Sequence, residues 1–124
     1  MSGAPRPWVL VVDDDEDIRD TIQSLLQLRG FAVETAADGL AGLERMRSGP
    51  PPAVVILDFM MPRMNGEEFR AAQLREPALA AVPVVLLTGA GETAGAARLA
   101  VERIPKPIDL QLLFDTVARF CDPR

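Results

Sequence analysis

Trp8-Val9-Leu10-Val11-Val12 runs directly into Asp13-Asp14-Asp15-Glu16-Asp17, and this junction decides the fold. The first half is a continuous apolar run rich in β-branched residues. Such runs read as strands buried on both faces, the mark of a parallel sheet. After the acids, apolar residues recur at Ile18, Ile22, Leu25, Leu26 and Leu28, close to a helical period. An acid at the start of that helix can cap it and suits its dipole. Gly30 ends it. The stretch is therefore a βα unit with an acidic turn.

The same rhythm continues along the chain. Phe31-Ala32-Val33-Glu34-Thr35 reads as a short second strand, and Leu40, Leu43 and Met46 mark a second helix that Ser48-Gly49-Pro50-Pro51-Pro52 stops. That Pro-rich stretch is too short and too central to divide domains. Ala53-Val54-Val55-Ile56-Leu57 is a fully apolar strand ending at Asp58. A turn-rich loop follows, then a helix over Glu67 to Arg75, closed by Pro77. Val82-Pro83-Val84-Val85-Leu86-Leu87 is the next apolar run, ending at Thr88. Glu92 to Leu99 is Ala-rich and helical in character, and Val101 to Ile104 is a weaker strand. Leu110, Leu113, Val117 and Phe120 give the last amphipathic helix. Five βα units imply a doubly wound, five-stranded parallel sheet with helices on both faces and right-handed crossovers. The expected boundaries are one domain over residues 8–121, with 1–7 and 122–124 as short tails.

Composition narrows the function. At 124 residues with 48% hydrophobic and 25% charged residues, the chain has a globular composition. No apolar run approaches the roughly 20 residues that span a bilayer, and the N-terminus lacks a signal-peptide core. A cytoplasmic location with no membrane partner is expected. Cys121 is the single cysteine, so no intrachain disulfide can form; it reads as a helix-end side chain. The absence of His excludes Ser-His-Asp triads and His-ligated metal. A net charge of −5 argues against direct nucleic-acid binding, which needs Lys and Arg against phosphates.

Chemistry-bearing residues stand at the strand ends: Asp13 and Asp14 after the first, Asp58 after the third, Thr88 after the fourth and Lys106 after the fifth. In open α/β sheets, ligands bind outside the carboxyl ends of the strands, where strand order reverses. In the order 2-1-3-4-5 that point would lie between the first and third strands and would bring Asp13, Asp14 and Asp58 together. Three crowded carboxylates repel one another, and oxygen-only ligands favour a hard cation such as Mg²⁺. Phosphoryl transfer needs positioning and neutralisation of charge more than covalent chemistry from the protein. In that scheme Asp58 is the nucleophile, the metal and Lys106 supply positive charge, and Thr88 supplies a hydrogen bond.

Four motifs resemble those of response-regulator receiver domains. They are Val11-Val12-Asp13-Asp14-Asp15-Glu16-Asp17-Ile18-Arg19, Leu57-Asp58-Phe59-Met60-Met61-Pro62-Arg63-Met64-Asn65-Gly66, Leu87-Thr88-Gly89 and Pro105-Lys106-Pro107-Ile108-Asp109. The resemblance spans residues 8 to 120. It implies a flavodoxin-like fold and a phosphorylation-dependent signalling switch of a two-component system, with Asp58 as phosphoacceptor. Asp13, Asp14, Asp58 and the Met60 backbone carbonyl would hold Mg²⁺. Thr88 would be the switch hydroxyl, Lys106 the cation on the phosphoryl group, and Lys106-Pro107 a cis peptide. The phosphodonor would be a histidine kinase or histidine phosphotransfer protein, and the output a contact with an unidentified protein target; homodimerisation is left open. Such a domain promotes its own phosphotransfer and dephosphorylation without being an enzyme.

The chain also departs from the family pattern. Arg103 stands at the position of the aromatic switch, and there is no Tyr. The interval from Thr88 to Lys106 is short by about one helical turn. A shortened or irregular fourth helix is therefore expected around Thr93 to Leu99, weakened further by Gly91 and Gly95. Met60 and Ala90 occupy the positions that tune phosphoryl lifetime, and neither can orient water, so a long-lived phosphoryl state is expected. One alternative is an interaction-only module that ignores phosphate. A second is a haloacid-dehalogenase-type phosphatase, opposed by Met60 where that family needs a second Asp. Ile18 stands where an EF-hand loop requires Gly. Met60, Met61 and Met64 read as core and loop packing rather than a soft-metal site. No output domain fits within these residues, so the chain is read as a stand-alone module or a receiver cut from a longer regulator.

Overall fold

The computed structural model describes residues 7–89, 91 and 102–121. Among these, five strands form one parallel sheet: β1 (Trp8–Val12), β2 (Ala32–Ala36), β3 (Val54–Asp58), β4 (Val84–Thr88) and β5 (Glu102–Pro105). Their order is β2-β1-β3-β4-β5. Four helices accompany them: α1 (Glu16–Leu28), α2 (Gly39–Arg47), α3 (Gly66–Leu74) and α4 (Leu110–Phe120). The helix expected around Thr93 to Leu99, with its shortening, lies outside the described residues, and α4 is the last helix among those described.

The apolar runs become the three central strands because only those positions are covered from both sides. Every residue of β1, β3 and β4 is buried, whereas the edge strands β2 and β5 are partly open. Side chains alternate across a strand. Leu10, Val12, Leu57 and Leu86 therefore meet Leu43 and Met46 of α2 and Phe69 of α3 on one face. Val9, Val11, Ile56 and Leu87 meet Ile22 and Leu26 of α1 and Leu113 and Val117 of α4 on the other.

Three apolar positions expected to face inward do not. Leu28, Leu40 and Leu110 are 82%, 53% and 43% exposed. Leu28 lies two residues beyond Leu26, roughly opposite on the helix. The inner stripe of α2 is Gly39, Gly42, Leu43 and Met46, so Leu40 is turned aside. A Cβ at Gly42 would stand 3.0 Å from Val12 Cγ2, so the α2 backbone rests directly on β1. Strand limits also shift by a residue or two: β2 starts after Phe31, β4 begins beyond Pro83, and β5 extends to Pro105.

The loops at the carboxyl edge are pinned locally. Asp15 caps α1, its carboxylate accepting from the Asp17 and Ile18 amides at 2.9 and 3.2 Å. Asn65 and Glu68 form a reciprocal capping box at α3. The Gly66 amide donates back to the Phe59 carbonyl at 2.7 Å, drawing the loop after β3 onto the strand end.

Candidate functional site

β1 and β3 are neighbours with Val12 opposite Leu57, so the residues that follow emerge side by side. Asp13, Asp14 and Asp58 each offer a carboxylate oxygen, and these oxygens lie within 4.8 Å of one another. Asp13 is fully buried, Asp58 is 5% exposed, and Asp14 faces solvent. Lys106 approaches from the far side of β4. Its backbone N–H donates to the Thr88 carbonyl at 2.7 Å, and its Nζ reaches Asp58 Oδ1 at 3.1 Å. The Lys106-Pro107 peptide is cis. Thr88 closes β4 and is buried at the same edge. Asp13, Asp14, Asp58, Thr88 and Lys106 thus share the carboxyl edge of the sheet.

The electrostatics follow from crowding and burial. The Asp13 carboxyl is pushed up to about 6, first by burial and further by Asp58 and Asp14, against the lowering effects of the Asp15 amide and Lys106. Burial also raises the Asp58 carboxyl from its ordinary value. The Lys106 hydrogen bond and charge, and the Met60 N–H, act in the opposite direction. Asp13 Oδ1 accepts from the Asp15 amide at 2.9 Å, while Asp13 Oδ2 is buried without a hydrogen-bond partner. An unpaired carboxylate oxygen in a buried site is costly. An all-oxygen set of three clustered carboxylates, one with a vacant buried oxygen, fits a hard divalent cation.

The remaining expected residues fall around this centre. Met60 is 55% exposed on the rim, so only Met61 and Met64 take the packing role expected of all three methionines; Met61 is buried in the core and Met64 packs against it. Arg103 is an exposed residue of β5. Ala90 lies outside the described residues. Two features were not anticipated. Arg19 Nη1 donates to the Asp13 carbonyl at 2.8 Å. Arg63 adopts φ 68° in the loop after Asp58, 3.8 Å from Asp38. The sequence signal for Arg19 was a cation four residues into a helix, where the dipole disfavours it.

Comparison with known proteins agrees with the geometry. Residues 9–118 match the family model of the response regulator receiver domain. The chain is 38% identical over 109 residues to the response regulator MprA of Mycobacterium ulcerans, covering 85% of this chain and 46% of that protein. It is 40% identical over 84 residues to the CpxR homolog of Haemophilus influenzae, a transcriptional regulatory protein, covering 68% and 35% respectively. The chain thus spans less than half the length of these relatives. Among solved structures, a response regulator receiver protein from Pseudomonas putida superposes with TM-score 0.86 at 25% identity, covering 94% of this chain and 98% of that one. The chemotaxis protein CheY4 of Vibrio cholerae gives 0.81 at 30% identity, covering 94% and 99%. With a family match over most of its length and the strand-end acids gathered beside a lysine, the chain belongs to the response regulator receiver domains of two-component signalling systems.

Proposed function

We propose that this domain acts in the cytoplasm, where Asp58 accepts a phosphoryl group from the phosphohistidine of a histidine kinase or phosphotransfer protein, and that it signals through a changed protein contact. The observation that carries this reading is the Lys106 ammonium 3.1 Å from Asp58 Oδ1, within a cluster of three carboxylates. An Asp58 oxygen attacks phosphorus; the O–P bond forms as the P–N bond breaks, and the imidazole nitrogen keeps the electron pair and takes a proton. Lys106 moves its charge onto the phosphoryl oxygens, and the Thr88 hydroxyl donates to them. Asp13, Asp14, Asp58 and the Met60 carbonyl would hold Mg²⁺, which would supply further positive charge to the transferring group. A groove of about 240 Å³ lined by Asp17, Ile18, Thr21, Ile22, Ile108 and Leu110 opens between α1 and the start of α4.

Acetyl phosphate with Mg²⁺ tests the reading. Intact mass should rise by one phosphoryl group, and Asp58→Asn should abolish the gain. Beryllofluoride should shift the amide NMR signals of Thr88 and Lys106; an unchanged mass and spectrum would favour the interaction-only alternative. Trp8 fluorescence is a poor reporter. Its ring sits at the opposite end of β1, roughly 16 Å of strand from Asp13, under the Arg45 guanidinium and bonded to the Pro50 carbonyl. With Met60 at the rim, the phosphoryl group should persist; a half-life of seconds would overturn that expectation.

A further inference from the structure

β1 leaves its ladders at Val12, which pairs with Ala36 on one side and Leu57 on the other. The next residue, Asp13, is wholly buried but lies beyond regular pairing. Its N–H still reaches the Ala36 carbonyl at 3.2 Å. Its own carbonyl has passed the end of the ladder, and a buried carbonyl must find a donor. Arg19 provides it, with Nη1 at 2.8 Å.

That choice of partner is informative. Arg19 is half-buried on α1, with the exposed acids Glu16, Asp17 and Asp20 close by in sequence. Among the described residues it makes no ion pair with any of them, and its guanidinium is held on a main-chain oxygen instead. The charges that move the Asp13 carboxyl are those of Asp58, Lys106 and Asp14. Arg19 thus acts on the backbone of Asp13 rather than on its carboxylate. With the N–H on Ala36, the carbonyl on Arg19 and Oδ1 on the Asp15 amide, Oδ2 is the acceptor left without a partner.

We propose that Arg19 is a positioning residue for the cation site: it locks the β1–α1 turn so that the Asp13 carboxylate, with its Oδ2 unpaired, is held beside those of Asp14 and Asp58. This rests on the reading that the three carboxylates hold a divalent cation. Groups one step removed from metal ligands commonly matter tenfold or more to affinity because they orient the ligands.

The test is a titration of the purified, metal-free protein with Mg²⁺ alone, followed by NMR. Arg19→Met should bind Mg²⁺ about tenfold more weakly. Arg19→Lys, which keeps a long donor, should recover most of the loss, and Arg19→Gln should fall between them. A purely electrostatic role has the opposite sign, because deleting a nearby positive charge tightens cation binding. Unchanged or tighter binding in Arg19→Met therefore overturns the proposal. In the metal-free state, amide exchange at Asp14 and Asp15 should accelerate in Arg19→Met while β3 and β4 keep their protection; uniform loss across the sheet also overturns it. Wild-type protein that fails to bind Mg²⁺ overturns the cation reading together with this one, whereas wild-type binding matched by Arg19→Met overturns only the role of Arg19.

Discussion

Asp13 carries the largest electrostatic burden of any single side chain in the site. Its carboxyl titrates near 6 in the fold against 3.8 in the reference state. A raised acid favours the protonated fold. Its contribution to stability is complete below the reference value and is lost as pH rises through about 6, a change on the order of 3 kcal/mol in metal-free protein. Asp13→Asn should therefore stabilise metal-free protein by about 2 kcal/mol at neutral pH and flatten the pH dependence across this window. Denaturant melts at several pH values would check this, and a variant less stable than wild type at neutral pH would refute it. Arg63 is a second locus of strain, with a β-carbon at φ 68°. Arg63→Asn, which tolerates this region, should gain about 0.5 kcal/mol, with the exposed contact to Asp38 offsetting little. Neither effect was legible beforehand. Asp13, Asp14 and Asp58 could be chosen from strand-end position alone, but burial of Asp13 against exposure of Asp14 depends on packing.

At the scale of elements, the loop and helix after β3 position Asp58. A Cβ at Gly66 would lie 2.8 Å from Phe59 Cδ1 and 3.3 Å from both Phe59 Cα and Leu86 Cδ2. Phe59 is a buried core residue and cannot yield freely, so Gly66→Ala should cost about 1–3 kcal/mol despite the better helix propensity of Ala. A thermal melt would test this; equal or greater stability would mean that the loop has slack. The central strands and α1 were readable because an unbroken apolar run and a helical period are local signals. The inward face of α2 was not. It is set by Gly39 and Gly42, whose contribution is the absence of a side chain against Met64 and Val12, and no hydrophobicity pattern marks that. Leu40 drew the eye and faces out.

For the whole molecule, the expected ligand links site and stability. A cation that binds only the folded acid cluster stabilises it by mass action. Mg²⁺ should raise the melting temperature at neutral pH, chelation should reverse the rise, and the gain should fade as pH drops through about 6 and protons compete for Asp13. Calorimetry with and without Mg²⁺ would show it, and a gain independent of pH would place the ion elsewhere. The order of apolar runs and helical periods was enough to establish a parallel α/β sheet and to put Asp13, Asp14, Asp58, Thr88 and Lys106 at its carboxyl edge, because strand direction dictates where each run ends. Only the tertiary structure decided the rest: that Lys106 reaches across β4 to Asp58, that Asp13 keeps one buried oxygen unpaired, and that Arg19 braces the Asp13 carbonyl. These are contacts between residues far apart in the chain or across a turn, set by sheet register and burial, and a one-dimensional pattern carries neither.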